Sequence, residues 1–279
     1  MYPTDGDHPD VLIKNADIAM YSSKESGRNA YSFFTQEMND DYQKKMVLEK
    51  ALRKALHSNE LKIVYQPKMD IETNSIIGME ALLRWESSEL VMISPAEFIP
   101  LAEETGIILP LGEWVLKSAC LQNKIWQDMG YTPIPVSVNI SMRQFYDGNF
   151  VESIINILKE TKLDAQYLDL EITESISMAN IDSVISTLNE LRVMGISISI
   201  DDFGTGYSSL SYLKKFPINN LKIDRSFVRD ITSNSENRSI VKTIISMANN
   251  LNLDVIAEGI ETEEELKFLK ANGCIIVQG

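Results

Sequence analysis

Aliphatic and polar residues alternate with period two in several short stretches of this chain, and the polar partners share one parity. In Val136-Ser-Val-Asn-Ile-Ser141 the aliphatic side chains hold the even positions and Asn139 falls on the other face. Leu168-Asp-Leu-Glu-Ile-Thr-Glu174 repeats the arrangement with Glu171, and Ser197-Ile-Ser-Ile-Asp-Asp202 repeats it with Asp201. Side chains alternate sides along a strand, so each polar residue faces away from its own aliphatic stripe. The same test on Ile77-Gly-Met-Glu-Ala-Leu-Leu-Arg84 groups Glu80 with Arg84. It sets Lys222 opposite Leu221 and Ile223, Glu258 opposite Ala257, and Gln278 opposite Val277. Ionic and amide side chains gathered on one face of this many strands predict a site.

Eight apolar runs can be marked, near residues 61–68, 76–85, 136–141, 167–173, 197–201, 221–225, 254–258 and 274–278. From the second run onward the gaps are long enough for helices. Asn149 to Lys162, Ile181 to Met194, Arg238 to Leu251 and Glu263 to Lys270 carry apolar residues at i, i+3, i+4 spacing. Strand–helix alternation of this kind predicts parallel strands in an α/β fold. Eight such strands predict a closed barrel with its site at the carboxyl ends of the strands. The first connection differs. Ile71-Glu-Thr-Asn-Ser75 is too short for a parallel crossover, so the first two strands are expected to form an antiparallel hairpin. The expected fold is a modified β/α (TIM-like) barrel with one antiparallel strand.

Six ordered motifs add a resemblance to this reading: Glu80-Ala81-Leu82-Leu83-Arg84, Val138-Asn139-Ile140-Ser141, Glu171-Ile172-Thr173-Glu174, Asp201-Asp202-Phe203-Gly204-Thr205-Gly206, Lys222-Ile223-Asp224 and Ala257-Glu258-Gly259-Ile260-Glu261. Together they resemble the signatures of EAL domains, bacterial phosphodiesterases of the second messenger cyclic di-GMP, over about residues 45 to 279. The family fold, a β/α barrel with one antiparallel strand, agrees with the hairpin inferred from loop length. The resemblance implies that Glu80, Asn139, Glu171 and Asp201 hold one divalent metal, and that Asp201 bridges to a second near Asp202. Lys222 matches the lysine that positions or polarises the attacking water, and Glu258 matches the general base. Glu261 and Gln278 match further residues at the metal site, Gln278 on the substrate side. Arg84 matches the arginine that grips a substrate phosphate. Glu174 matches a glutamate that steadies the loop after Asp202, and that loop, Phe203 to Leu213, implies a homodimer coupled to the site. No motif residue is replaced. The implied activity is hydrolysis of cyclic di-GMP to linear pGpG. The alternative is an EAL module that binds cyclic di-GMP as a sensor, although such modules usually show replaced ligands or a damaged loop.

The chemistry needs these residue types in any case. A phosphodiester is anionic and repels hydroxide, so cutting it near neutral pH takes a deprotonated water and charge neutralisation, which two divalent ions provide. Oxygen-only ligation by carboxylates and an amide suits Mg²⁺ or Mn²⁺, two per active site, and argues against structural zinc. Taken singly, each residue has a plain structural explanation. Asp and Gly dominate turns, acids suit a helix's first turn, and an Arg beside a Trp is often a stacked surface pair. Matching parity on so many strands outweighs these explanations.

With 279 residues, 44% of them hydrophobic, the chain can bury one barrel core plus a short extra piece. A net charge of −14 disfavours DNA, RNA and anionic membrane as general partners. Two cysteines without zinc spacing point to a reducing compartment, and no run reaches the length of a membrane span, so a cytoplasmic location is expected. Leu12 to Lys24 reads as an amphipathic helix, ended by Glu25-Ser-Gly27, and Asn29 to Phe34 as a short strand. This pair resembles the last helix and strand of a GGDEF domain, the diguanylate cyclase module that often precedes an EAL domain. The cyclase signature loop is absent, so no synthesis is assigned. The expected division is residues 1–36 as a GGDEF-like fragment, 37–58 as a connecting helix, and 59–279 as the EAL barrel. In the family a loop and a final helix follow the Gln-Gly at 278–279. The barrel is therefore expected to lack that helix and to leave Ile275 and Val277 uncovered.

Overall fold

The computed structural model describes residues 1–25, 29–174, 181–206 and 213–279. They form two compact units, one of residues 1–61 and 85–105, the other of residues 62–84 and 106–279.

The second unit is built on the barrel. Its strands are β1 (Leu61–Asp70), β2 (Ser75–Ser87), β4 (Val136–Ile140), β5 (Leu168–Thr173), β6 (Ser197–Phe203), β7 (Asn220–Ile223), β8 (Asp254–Glu258) and β9 (Ile276–Gln278). Within the first unit, a short β3 (Val91–Ile93), not anticipated from the sequence, pairs antiparallel with the last residues of β2, Trp85 to Ser87. From β2 through β4 to β9 every neighbouring barrel pair is parallel. β1 closes the ring by pairing with both β2 and β9, and it runs antiparallel to β9 with Met69 opposite Val277. The expected hairpin is present. Asp70 Oδ1 accepts from the backbone N–H of Glu72 (2.8 Å) and Thr73 (3.1 Å), and Asn74 takes the left-handed conformation that ends the turn.

The even-numbered aliphatic residues face outward, as their periodicity predicts. Val136, Val138, Leu168, Leu170, Ile198 and Ile200 are buried against a shell of helical residues that includes Ile154, Ile157, Val184, Leu188, Leu191, Val241 and Ile245. Each helix owes its place to one apolar stripe. In Phe150–Thr161 the buried residues are Phe150, Ile154, Ile157 and Thr161, and the helix stops where Lys162 turns left-handed. Glu263–Ala271 starts on a capping box between Thr262 and Glu265. In the long stretch after β2, where no helix bounds were expected, this unit also carries the helix Ile108–Asp128. Val277 departs from the expectation of an uncovered residue. It is only 7% exposed and belongs to the same apolar cluster as Leu269 and Cys274, while Ile275 is half-buried.

In the first unit, helices Pro9–Glu25, Gln36–Ala55 and Pro95–Thr105 bury Ile18, Ala19, Leu48, Leu52, Phe98 and Leu101. Trp85 is fully buried here rather than stacked at the surface. It meets Phe98 edge-on at 5.4 Å and donates its indole N–H to Glu60 at 3.2 Å. Residues 29–35 form no strand, since a ladder needs a partner and none of the described residues pairs with them.

Candidate active site

The positions opposite each strand's aliphatic stripe converge inside the barrel near the carboxyl ends of its strands. Glu80 comes from β2, Asn139 from β4, Glu171 from β5, Asp201 from β6, Lys222 from β7, Glu258 from β8 and Gln278 from β9. The Lys222 ammonium sits among the acids, 2.6 Å from Glu171 Oε2, 2.6 Å from Glu258 Oε1, 3.1 Å from Asp201 Oδ1 and 3.4 Å from Glu80 Oε2. Glu80 is fixed from both sides. Asn139 Nδ2 donates to its Oε1 and Gln278 Nε2 to its Oε2, each at 2.6 Å.

Burial and charge set the proton affinities of this group. Burial alone would strip the proton from Lys222, but Glu171, Asp201, Glu80 and Glu258 outweigh it and hold its pKa well above the ordinary lysine value. Burial also works to raise Glu171, yet Lys222 and Lys68 together hold that carboxyl down at about 2. Glu258 shares its lysine with three other acids, and among the described residues no second cation pairs with it. Burial, helped by Asp201 and Glu80, pushes it up to about 7 despite the Lys222 contact. Burial likewise raises Glu80 and Asp201.

Glu174 is buried just past β5, where its Oε2 accepts from the backbone N–H of both Gly204 and Gly206 at 3.2 Å. A Cβ on Gly206 would stand 3.0–3.2 Å from that carboxylate, so a larger residue there would force Glu174 to give by a few tenths of an ångström. The rest of the expected dimer loop, residues 207–212, lies outside the described residues. Asp202 follows Asp201 in the left-handed conformation with its backbone N–H on Asp201 Oδ1. Two expected residues stand apart from the cluster. Arg84 is half-buried on β2 and donates to the Leu83 carbonyl at 2.9 Å, and the Glu261 side chain is exposed.

A deeper layer was not anticipated. Lys68 from β1 donates to Ser137 Oγ (2.5 Å) and Glu171 Oε1 (2.7 Å) and lies 3.5 Å from Asp169 Oδ2. Ser137 and Ser199 both donate to Asp169, and Asn220 Nδ2 donates to Ser199 Oγ at 2.9 Å. Gln66, also on β1, accepts from Gln278 Nε2 at 3.1 Å. The signal was present: Ser137, Asp169, Ser199 and Asn220 each precede a site residue by two positions and share its parity.

The donor set fits divalent cations. Oxygens of Glu80, Glu171 and Asp201 lie within 4.8 Å of one another, as do those of Asp201, Asp202 and Glu258. All are hard oxygen donors of the kind Mg²⁺ and Mn²⁺ take. Among the described residues, Gln278 Oε1 is buried beside Glu80 with no hydrogen-bond partner, an acceptor left for something bound in the site.

A β/α barrel whose mouth carries this acidic cage around one lysine belongs to a class that the sequence places further. Residues 49–279 match the EAL domain, and the chain belongs to that family. It is 45% identical over all 279 residues to the bifunctional diguanylate cyclase/cyclic di-GMP phosphodiesterase MucR of Pseudomonas aeruginosa, covering 41% of that protein. It is 41% identical over 277 residues to the cyclic di-GMP phosphodiesterase PdeR of Escherichia coli, covering 99% of this chain and 42% of the relative. The chain thus spans about two fifths of the length of these relatives. The solved PaMucR phosphodiesterase in complex with c-di-GMP superimposes with a TM-score of 0.81 at 45% identity, over 84% of this chain and 94% of that one.

Proposed function

We propose that this chain carries a metal-dependent phosphodiesterase that opens cyclic di-GMP to linear pGpG. The observation that carries the reading is the convergence of Glu80, Glu171, Asp201 and Glu258 on one buried ammonium, Lys222. The likeness to two cyclic di-GMP phosphodiesterases supports the substrate. Glu80, Asn139, Glu171, Asp201 and Asp202 would hold two Mg²⁺ or Mn²⁺ ions. Such ions supply positive charge to the phosphodiester oxygens and lower the pKa of water. Lys222 orients the attacking water and Glu258, whose Oε1 lies 2.6 Å from the Lys222 ammonium, takes the water's proton. The water oxygen bonds to phosphorus as the bond to the leaving 3′ oxygen breaks, and Arg84 grips the phosphate. Gln278 offers its free Oε1 toward the site. Glu261, whose side chain is exposed, is assigned a supporting role.

The same reading extends to the rest of the chain. Residues 1–36 correspond to the end of a GGDEF-like domain, 37–58 to a connecting helix and 59–279 to the EAL barrel. Support comes from the match to a bifunctional cyclase/phosphodiesterase over the whole chain, including the residues before the EAL match. A homodimer coupled through the loop held by Glu174 completes the proposal. The deciding experiment incubates the pure chain with cyclic di-GMP and Mg²⁺ or Mn²⁺ and looks for pGpG. Product formation supports the enzyme; tight binding without product supports a sensor.

A further inference from the structure

The acidic cage of the proposed site stands on a second buried lysine that no part of that reading uses. Lys68 is 5% exposed, and its ammonium holds the Glu171 oxygen that Lys222 does not touch. Glu171 is thereby gripped at both oxygens, at 2.7 and 2.6 Å. Lys68 is itself held from below. Asp169 lies 3.5 Å away, and Ser137 Oγ accepts from Lys68 while donating to Asp169 at 2.6 Å. Ser199 and Asn220 complete the layer across β6 and β7. Every polar side chain of this floor has a partner, so the layer is rigid rather than strained.

The reversal of β1 puts the lysine there. On the parallel strands residue numbers rise toward the mouth, so Ser137, Asp169, Ser199 and Asn220 lie below the site residues two positions on. On β1 they fall, and Gln66 reaches Gln278 near the mouth while Lys68, two residues later, reaches the floor.

We propose that Lys68 is a positioning residue that fixes Glu171 so that a single carboxylate oxygen is presented to a divalent cation in the cage. The proposal rests on the cofactor reading above. Two effects of removing the ammonium oppose each other. If Lys68 only balanced charge, its loss would leave the cage more negative and tighten cation binding. If it positions Glu171, its loss frees Oε1 and the carboxylate rotates away from its ligating geometry. Loss of such an outer partner costs roughly 10–100-fold in metal affinity.

The test is Mn²⁺ titration of the full chain by calorimetry, without substrate, for the parent, Lys68→Met, and the double variant Lys68→Met/Asp169→Asn. The double variant removes both members of the buried pair, so it leaves no uncompensated acid on the floor if the single variant fails to fold. Mn²⁺ affinity about 10–100-fold weaker than the parent in the folded variants is the expected result. Lys68→Arg, which keeps a charged donor, should recover most of the loss. Unchanged or tighter Mn²⁺ binding in the double variant overturns the proposal, and so does a parent that binds no Mn²⁺. A parent that binds Mn²⁺ but leaves cyclic di-GMP intact defeats only the phosphodiesterase reading, because the affinity comparison stands without turnover.

Discussion

Glu258 Oε1 lies 2.6 Å from Lys222 Nζ, yet the Glu258 carboxyl keeps its proton up to about pH 7. One ammonium divided among several acids cannot neutralise all of them, and Glu258, the most exposed of the four, is left protonated. Its folded pKa is raised above the ordinary 4.5, so between those values the folded chain holds a proton that the unfolded chain has released. That contribution is full below about pH 4.5 and is lost as pH rises through about 7. In EDTA, the melting temperature should therefore fall between pH 5 and 7.5, by roughly 2–4 °C for each kcal/mol lost in a chain of this size. Glu258→Gln should flatten that slope. A slope unchanged in the variant would assign the effect to other groups.

Asp201→Asn and Glu80→Gln should each lower hydrolysis by roughly 10²–10³-fold, because each removes a charged oxygen worth several kcal/mol to the cation-assisted step. Circular dichroism should show an intact fold, since both substitutions relieve repulsion among buried acids. Full activity in either folded variant would remove the two-ion reading.

Lys222→Ala leaves several buried carboxylates without their shared cation. A loss of about 3–5 kcal/mol in EDTA is expected, as for one half of a buried ion pair. Mn²⁺ should restore much of it by binding only the folded state. Turnover at saturating Mn²⁺ should still fall by roughly 10²–10⁴-fold while cyclic di-GMP binding remains measurable. Denaturant melts with and without Mn²⁺, beside equilibrium binding, check both halves.

Glu174→Ala removes the acceptor of two loop N–H groups, from Gly204 and Gly206. Each charged hydrogen bond is worth about 1.5–3 kcal/mol, so the loop should loosen and Mn²⁺ affinity and activity should drop together. Light scattering on the same samples checks the dimer. A monomer as active as the parent would separate the loop from assembly.

How much of this was legible depended on what period two can report. It told which face Asn139, Glu171 and Asp201 occupy, and the loop length told that β1 is reversed. Parity does not report depth. Asp169 and Ser199 share the face of Glu171 and Asp201, but whether they lie in the cage or beneath it is decided by the stagger of a closed barrel. Placing Lys68 needed parity and strand direction together, because its partners lie on β4 and β5, far along the sequence. The sequence says nothing of where Trp85 lies, because an Arg-Trp pair looks the same whether the ring is stacked at the surface or buried against Phe98.

The ring is closed by the pairing of its first strand with its last, Met69 with Val277, and Gln278 reaches Glu80 across 198 positions of chain. Contacts this distant in sequence carry the largest loop-closure entropy and form late. A ribosome-bound chain that has not yet made β9 should already contain every acid of the cage but no enclosure to hold them. Hydrolytic competence should therefore arrive at once, when β9 becomes free to pair, rather than grow with chain length. Nascent chains stalled before residue 276 should be inert however long they are left to fold.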